Sequence, residues 1–145
     1  MHPVATDLVK ARGHGFVSLR HPTTIEMTKE SEMTRKGDCV LAVGASKGAS
    51  ELDERLKSAL RKGGRLIVTI ECAGLRDVIR SMGSDRMTFR DQNSIVLRRS
   101  AYVDGRTIGI LSNKAAQGID RGLASRLKDE GAIVFVRLEA FVNLT

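Results

Sequence analysis

Apolar positions along this chain follow two rhythms. Cys39–Gly44 and Arg65–Glu71 are short runs rich in Val and Ile, and between them Ala49, Leu52, Leu56 and Leu60 recur at the spacing of one helix face across Ala49–Lys62. The order is strand, helix, strand. It returns in Thr107–Leu111, in a helix predicted over Ala115–Glu130 with the stripe Ala116, Ile119, Leu123 and Leu127, and in Ala132–Leu138. A crossover of this kind is right-handed and predicts parallel strands on either side of each helix. Ahead of each unit, shorter segments alternate in polarity as half-buried antiparallel strands do. They are Leu8–Arg12, Phe16–Arg20 and Thr24–Thr28, then Arg76–Met82, Arg86–Arg90 and Ser94–Arg99.

The two rhythms match residue by residue. Val40–Ala73 aligns without a gap onto Thr107–Ala140, with identities at Lys47/Lys114, Ala49/Ala116, Asp53/Asp120, Leu56/Leu123, Ser58/Ser125, Leu60/Leu127, Gly64/Gly131 and Ala73/Ala140. Upstream, Gly13 falls on Gly83, Arg20 on Arg90 and Ile25 on Ile95. With 145 residues there is room for one core, so the repeat lies inside a single domain, spanning 8–73 and 78–140. The predicted class is α+β: pseudo-two-fold, duplicated β-β-β-α-β halves forming a small barrel or strongly curved sheet with two outer helices. The string TRKGDCVLAV resembles the Gly-Asp turn of pseudo-symmetric barrels built from two half-copies, although the second copy reads YVDGRTIGI.

Charge adds a direction to this picture. The formal net charge is +7 and the isoelectric point about 9.9, which points to an anionic partner, nucleic acid or a phosphorylated small molecule. Arg76, Arg80, Arg86, Arg90, Arg98 and Arg99 crowd the segment between the repeat cores, and Arg86, Arg90, Arg98 and Arg99 are the predicted nucleic-acid contacts. Aromatic residues make up 3%, too few for extensive base stacking. The two cysteines do not make a disulfide framework. No apolar run approaches the length of a membrane span, so a cytoplasmic protein with no membrane partner is expected.

The turn between the first strand and helix carries the remaining chemistry. Gly44-Ala45-Ser46-Lys47-Gly48 has the spacing of a nucleophile elbow, but His2, His14 and His21 all precede the serine, the reverse of what that fold requires. The same string is similar to the phosphate loop of short-chain dehydrogenases, yet Ala49-Ser50 follows it and the chain is too short. Ser46 and Asn113 are good helix N-caps, and each is followed by a lysine at the unfavourable end of the helix dipole. A local rule broken twice predicts two anion sites, at Ser46/Lys47 and Asn113/Lys114, joined by Arg20 and Arg90. The alternative is that Lys47 and Lys114 point into water or pair with a neighbouring acid. Asp53 and Asp120 fall inside the apolar stripes and are expected to be buried and tied to a loop or an arginine. His14, His21 and Asp38 lack metal-ligand spacing, so no metal or other cofactor is expected.

Arg12–Gly15 (RGHG), His21–Cys39 (HPTTIEMTKESEMTRKGDC) and Arg106–Asp120 (RTIGILSNKAAQGID) together resemble an archaeal family of small uncharacterised proteins, domain of unknown function 371. The resemblance spans almost the whole chain and implies an archaeal, cytoplasmic protein without an assigned activity or catalytic residue. The leading expectation is an anion-binding protein that uses basic residues and helix N-termini. The competing ones are an enzyme acting on a small anionic substrate in a cleft between the halves, and a protein-interaction module.

Overall fold

The computed structural model describes residues 2–142. Three strands come first: β1 (Ala5–Arg12), β2 (Thr24–Thr28) and β3 (Val40–Ala42). A 3-10 turn at Ala49–Glu51, helix α1 (Glu54–Arg61) and β4 (Arg65–Cys72) follow. The same order then recurs as β5 (Leu75–Met82), β6 (Ser94–Arg98), β7 (Thr107–Gly109), a 3-10 turn at Ala116–Gly118, α2 (Arg121–Arg126) and β8 (Ile133–Phe141). The α+β class holds.

The strands form two four-stranded sheets, β1-β8-β4-β5 and β3-β2-β6-β7. The first is antiparallel throughout, whereas β2 and β6 each carry a short parallel partner at the edge of the second. The predicted crossover therefore fails in one respect. β3 and β4 flank α1 in sequence but lie in different sheets, because β4 takes its hydrogen bonds from β5 and β8. Nor does a barrel close. Single bridges, Arg12 to Val43 and Met82 to Ile110, tie the sheet edges together where a continuous ladder would be required.

Phe16–Arg20 and Arg86–Arg90, expected as strands, are irregular segments. Their backbones pass through the left-handed region at Leu19 (φ 52°) and Phe89 (φ 49°), both buried, so burying the side chain outweighs a conformation that breaks any ladder. The turns on either side of these segments are held by side-chain acceptors of different chemistry. His14 Nδ1 accepts from Phe16 N–H at 3.0 Å and Ser84 Oγ accepts from Arg86 N–H at 3.2 Å. His21 Nδ1 likewise accepts from Thr24 N–H, and Asp91 Oδ1 from Ser94 N–H. Any short acceptor suffices there.

The interior is one cluster. Leu56, Leu60, Leu123 and Leu127 from the helices meet Val68, Ile70, Val136 and Leu138 from the first sheet and Ile25, Ile95 and Leu97 from the second, all essentially without exposure. Each fully buried Leu contributes about 2 kcal/mol through the apolar area removed from water.

One detail of the gapless alignment is overturned by burial. Leu66, Val68, Ile70 and Cys72 face inward from β4, while Val134, Val136, Leu138 and Ala140 do so from β8. The corresponding positions are thus one residue further apart than in the helices, and the extra residue sits in the connection Lys128–Gly131. Period-two alternation makes a one-residue slip visible as an exchange of faces. Gly64 and Gly131, and Ala73 and Ala140, are therefore not matching positions despite their identity.

β4 and β5 are joined through Ala73 (φ 52°) and Gly74 (φ 81°), a two-residue hairpin with both φ positive. The loop after β3 has Gly44 at φ 60°, and the corresponding position after β7 is Leu111 at φ 51°, exposed. A left-handed leucine costs about 1–2 kcal/mol in backbone strain, of which the extra chain entropy of glycine cancels only part. Leu111→Gly is expected to stabilise the protein by roughly 0.5 kcal/mol in urea denaturation. A loss of comparable size would mean that this loop is not held left-handed.

Candidate functional site

The structure accounts for both paired lysines. Lys47 Nζ donates to the two carboxylate oxygens of Asp7 at 2.8 and 3.0 Å, and Lys114 Nζ donates to Asp77 at 2.7 Å. The second oxygen of each aspartate accepts a backbone N–H, from Asp53 at 2.8 Å and Asp120 at 2.9 Å. Burial pushes the Asp7 and Asp77 carboxyls up, but the lysine and backbone donors outweigh it and hold both below the usual carboxylate range. The local rule broken twice is satisfied by a strand acid at each place.

Ser46 and Asn113 are not helix caps. Ser46 Oγ accepts from Lys10 N–H at 3.0 Å and Asn113 Oδ1 from Arg80 N–H at 2.9 Å, fastening each loop to an edge strand. Capping falls to Asp53, whose carboxylate accepts from Arg55 and Leu56 N–H, and to Asp120, which accepts from Leu123 N–H. Both aspartates are exposed, contrary to their expected burial, because the predicted helices break at Leu52 and Ile119 and restart two residues later, at Glu54 and Arg121. A cap must sit outside the helix, so its place in the apolar stripe was illusory. With a carboxylate already on the free N–H groups, neither helix start presents the positive end assumed for an anion site.

The predicted arginines scatter. Arg98 is buried: its Nε donates to Thr107 Oγ1 and its Nη2 to Asp104, both at 2.9 Å. Arg86 donates to the Ala101 carbonyl at 2.7 Å. Arg90 and Arg99 are exposed in irregular segments, so Arg86 and Arg90 do not share a strand face. Arg20 is exposed beside His21, whose carbonyl accepts from Gln117 N–H in the second 3-10 turn. His14 and His21 are both used in turns, and among the described residues no group of three or more His, Cys, Asp or Glu side chains could hold a metal ion. Cys39 and Cys72 are free thiols, both pushed up chiefly by burial.

What the sequence reading missed is the outward face of the first sheet. Strand alternation turns Val134, Val136 and Leu138 into the core and leaves Ile133, Phe135 and Arg137 outside. In register, Phe135 lies between Lys10 on β1 and Glu71 on β4, and Arg137 lies between Leu8 and Thr69. Phe135 is 42% and Leu8 48% exposed. A shallow depression of about 200 Å³ is lined by Leu8, Thr69, Glu71, Phe135 and Arg137. The same face carries Lys10, Arg12, Arg65, Arg76, Arg80 and Arg137 against two acids, Glu71 and Glu139. The signal was present as the alternation Ile133, Phe135, Arg137, Glu139, hidden inside what reads as one apolar run.

These features define a small α+β protein whose antiparallel sheet has one face in the core and one open, basic face. The chain belongs to the family described as Domain of unknown function (DUF371), whose model matches residues 9–141. It is 35% identical over 128 residues to the uncharacterized protein MJ0206 of the archaeon Methanocaldococcus jannaschii, an alignment covering 88% of this chain and 95% of that protein. No helix among the described residues is long and apolar enough to cross a membrane.

Proposed function

We propose that this protein binds single-stranded nucleic acid across the open face of the β1-β8-β4-β5 sheet. The observation that carries the reading is the exposed Phe135, flanked in register by Lys10 and, two residues along its strand, by Arg137. A pleated face offers an aromatic ring to a base and long cations to the phosphates on either side, and stacking of this kind is tolerant of sequence. Lys10, Arg80 and Arg137 have no carboxylate partner among the described residues, so their charges remain available for phosphates. The helix N-termini, capped by aspartates, take no part. The recurrence of the same element order supports the reading that two matched halves compose the chain. On that view the face lies where their last strands pair, with Thr69 opposite Arg137.

Fluorescence anisotropy with short single-stranded DNA and RNA oligonucleotides tests the proposal. Affinity is expected to fall steeply with salt, and Lys10→Ala and Arg137→Ala each to lower the log–log salt slope by about 1. Phe135→Ala is expected to weaken binding by 1–3 kcal/mol, roughly five- to 150-fold, with little change in the slope. Undiminished binding by the triple variant would remove the sheet from the reading, and absent binding at low salt would remove nucleic acid.

A further inference from the structure

A second concave region lies outside this sheet and uses none of its residues. We propose that the hollow lined by Gly15, Phe16, Ser18, Arg20 and Arg35 binds the phosphate group of a small phosphorylated metabolite. The hollow measures about 570 Å³, within the size range of small-molecule sites. Two guanidinium groups line it and no carboxylate does. Neither the Arg20 guanidinium nor the Ser18 hydroxyl has a hydrogen-bond partner among the described residues, and Arg35 is held by stacking on the Phe16 ring at 5.1 Å.

The support beneath is built. His14 is 4% exposed, its Nδ1 accepts the Phe16 N–H, and its ring lies 5.3 Å from the Phe16 ring. Its Nε2 bonds Glu32 at 3.1 Å, while Glu130 lies 3.8 Å away beside Gly15, at the edge of the hollow. The planar fork of arginine matches phosphate oxygens in pairs, and two such forks favour a dianion over a monocarboxylate. The arrangement is not repeated in the second half. There Arg86 stands at the position corresponding to Phe16 and spends its guanidinium on the Ala101 carbonyl.

Calorimetric titration of the full chain with inorganic phosphate and with phenyl phosphate tests this, with benzoate as the monoanionic comparison. Both phosphates are expected to bind, benzoate more weakly, and Arg20→Ala and Arg35→Ala each to weaken the phosphates about tenfold or more. Both arginines are exposed, so circular dichroism should report unchanged folding. Lys10→Ala and Arg137→Ala are expected to leave phosphate binding unchanged, and the two arginine variants to leave oligonucleotide binding unchanged. Phosphate affinity that is absent, or that survives in the Arg20→Ala/Arg35→Ala double variant, overturns the proposal. So does a parallel loss of oligonucleotide affinity, which would assign the hollow to a nucleic-acid track.

Discussion

Replacing Gly83 with alanine is expected to cost about 3 kcal/mol or more of folding stability, the upper end of what overpacking does. Gly83 follows β5 and passes over the end of α1, where an added Cβ would overlap the Leu60 carbonyl oxygen and lie 2.7 Å from both its carbonyl carbon and its Cα. All three are backbone atoms of a helix whose Leu56 and Leu60 are locked in the core, so no side chain can swing away. Gly13 makes the corresponding approach to the end of α2, against the carbonyls of Leu127 and Asp129. The control is Gly63, which has φ +83° and nothing within 4 Å of an added Cβ. There alanine suffers only the left-handed backbone, about 1 kcal/mol. Urea denaturation of the two variants separates the effects. Equal losses would mean that the helix end does not bear on the Gly83 backbone.

Much of this architecture was legible because it rests on periodicity. The stripe Leu56, Leu60, Leu123, Leu127 is the buried helical set, and the Val- and Ile-rich runs are strands. Pairing was less legible, since a strand–helix–strand pattern does not say whether β4 joins β3 or the hairpin partner that follows it. The Ala73-Gly74 turn decides in favour of β5 by placing it within hydrogen-bonding reach at once. The repeated lysines stand out in the sequence, but their partners, Asp7 and Asp77, lie some forty positions upstream and have no sequence pattern linking them. Asp53 misled for a related reason: a cap and a stripe residue can share the same helical angle. The open face was hardest to read, because apolar residues on both sides of β8 erase the polarity alternation that distinguishes inside from outside.

Asp104→Asn is expected to cost about 3 kcal/mol at neutral pH and to flatten the acid limb of stability. Arg98, at the end of β6, has a side chain only 10% exposed, with Asp104 at 2.9 Å and the Tyr102 ring 4.8 Å from its guanidinium carbon. Removing one partner of such a pair strands the other charge, which typically costs 3–5 kcal/mol, and the partial exposure of Asp104 places the loss at the lower end. Burial pushes the Asp104 carboxyl up, but donors from Arg106 and Thr107 and the charge of Arg98 bring it down from 3.8 to about 2. Because the folded value lies below the unfolded one, this carboxylate stabilises the fold fully above about pH 4, and its contribution disappears as pH falls toward 2. The difference amounts to about 2 kcal/mol across that window. The Asn variant cannot titrate and should lose correspondingly less stability there. Arg98→Ala should destabilise similarly at pH 7 and leave oligonucleotide affinity unchanged, because its guanidinium is spent inside the protein. A weakened oligonucleotide with intact stability would instead return Arg98 to the binding surface.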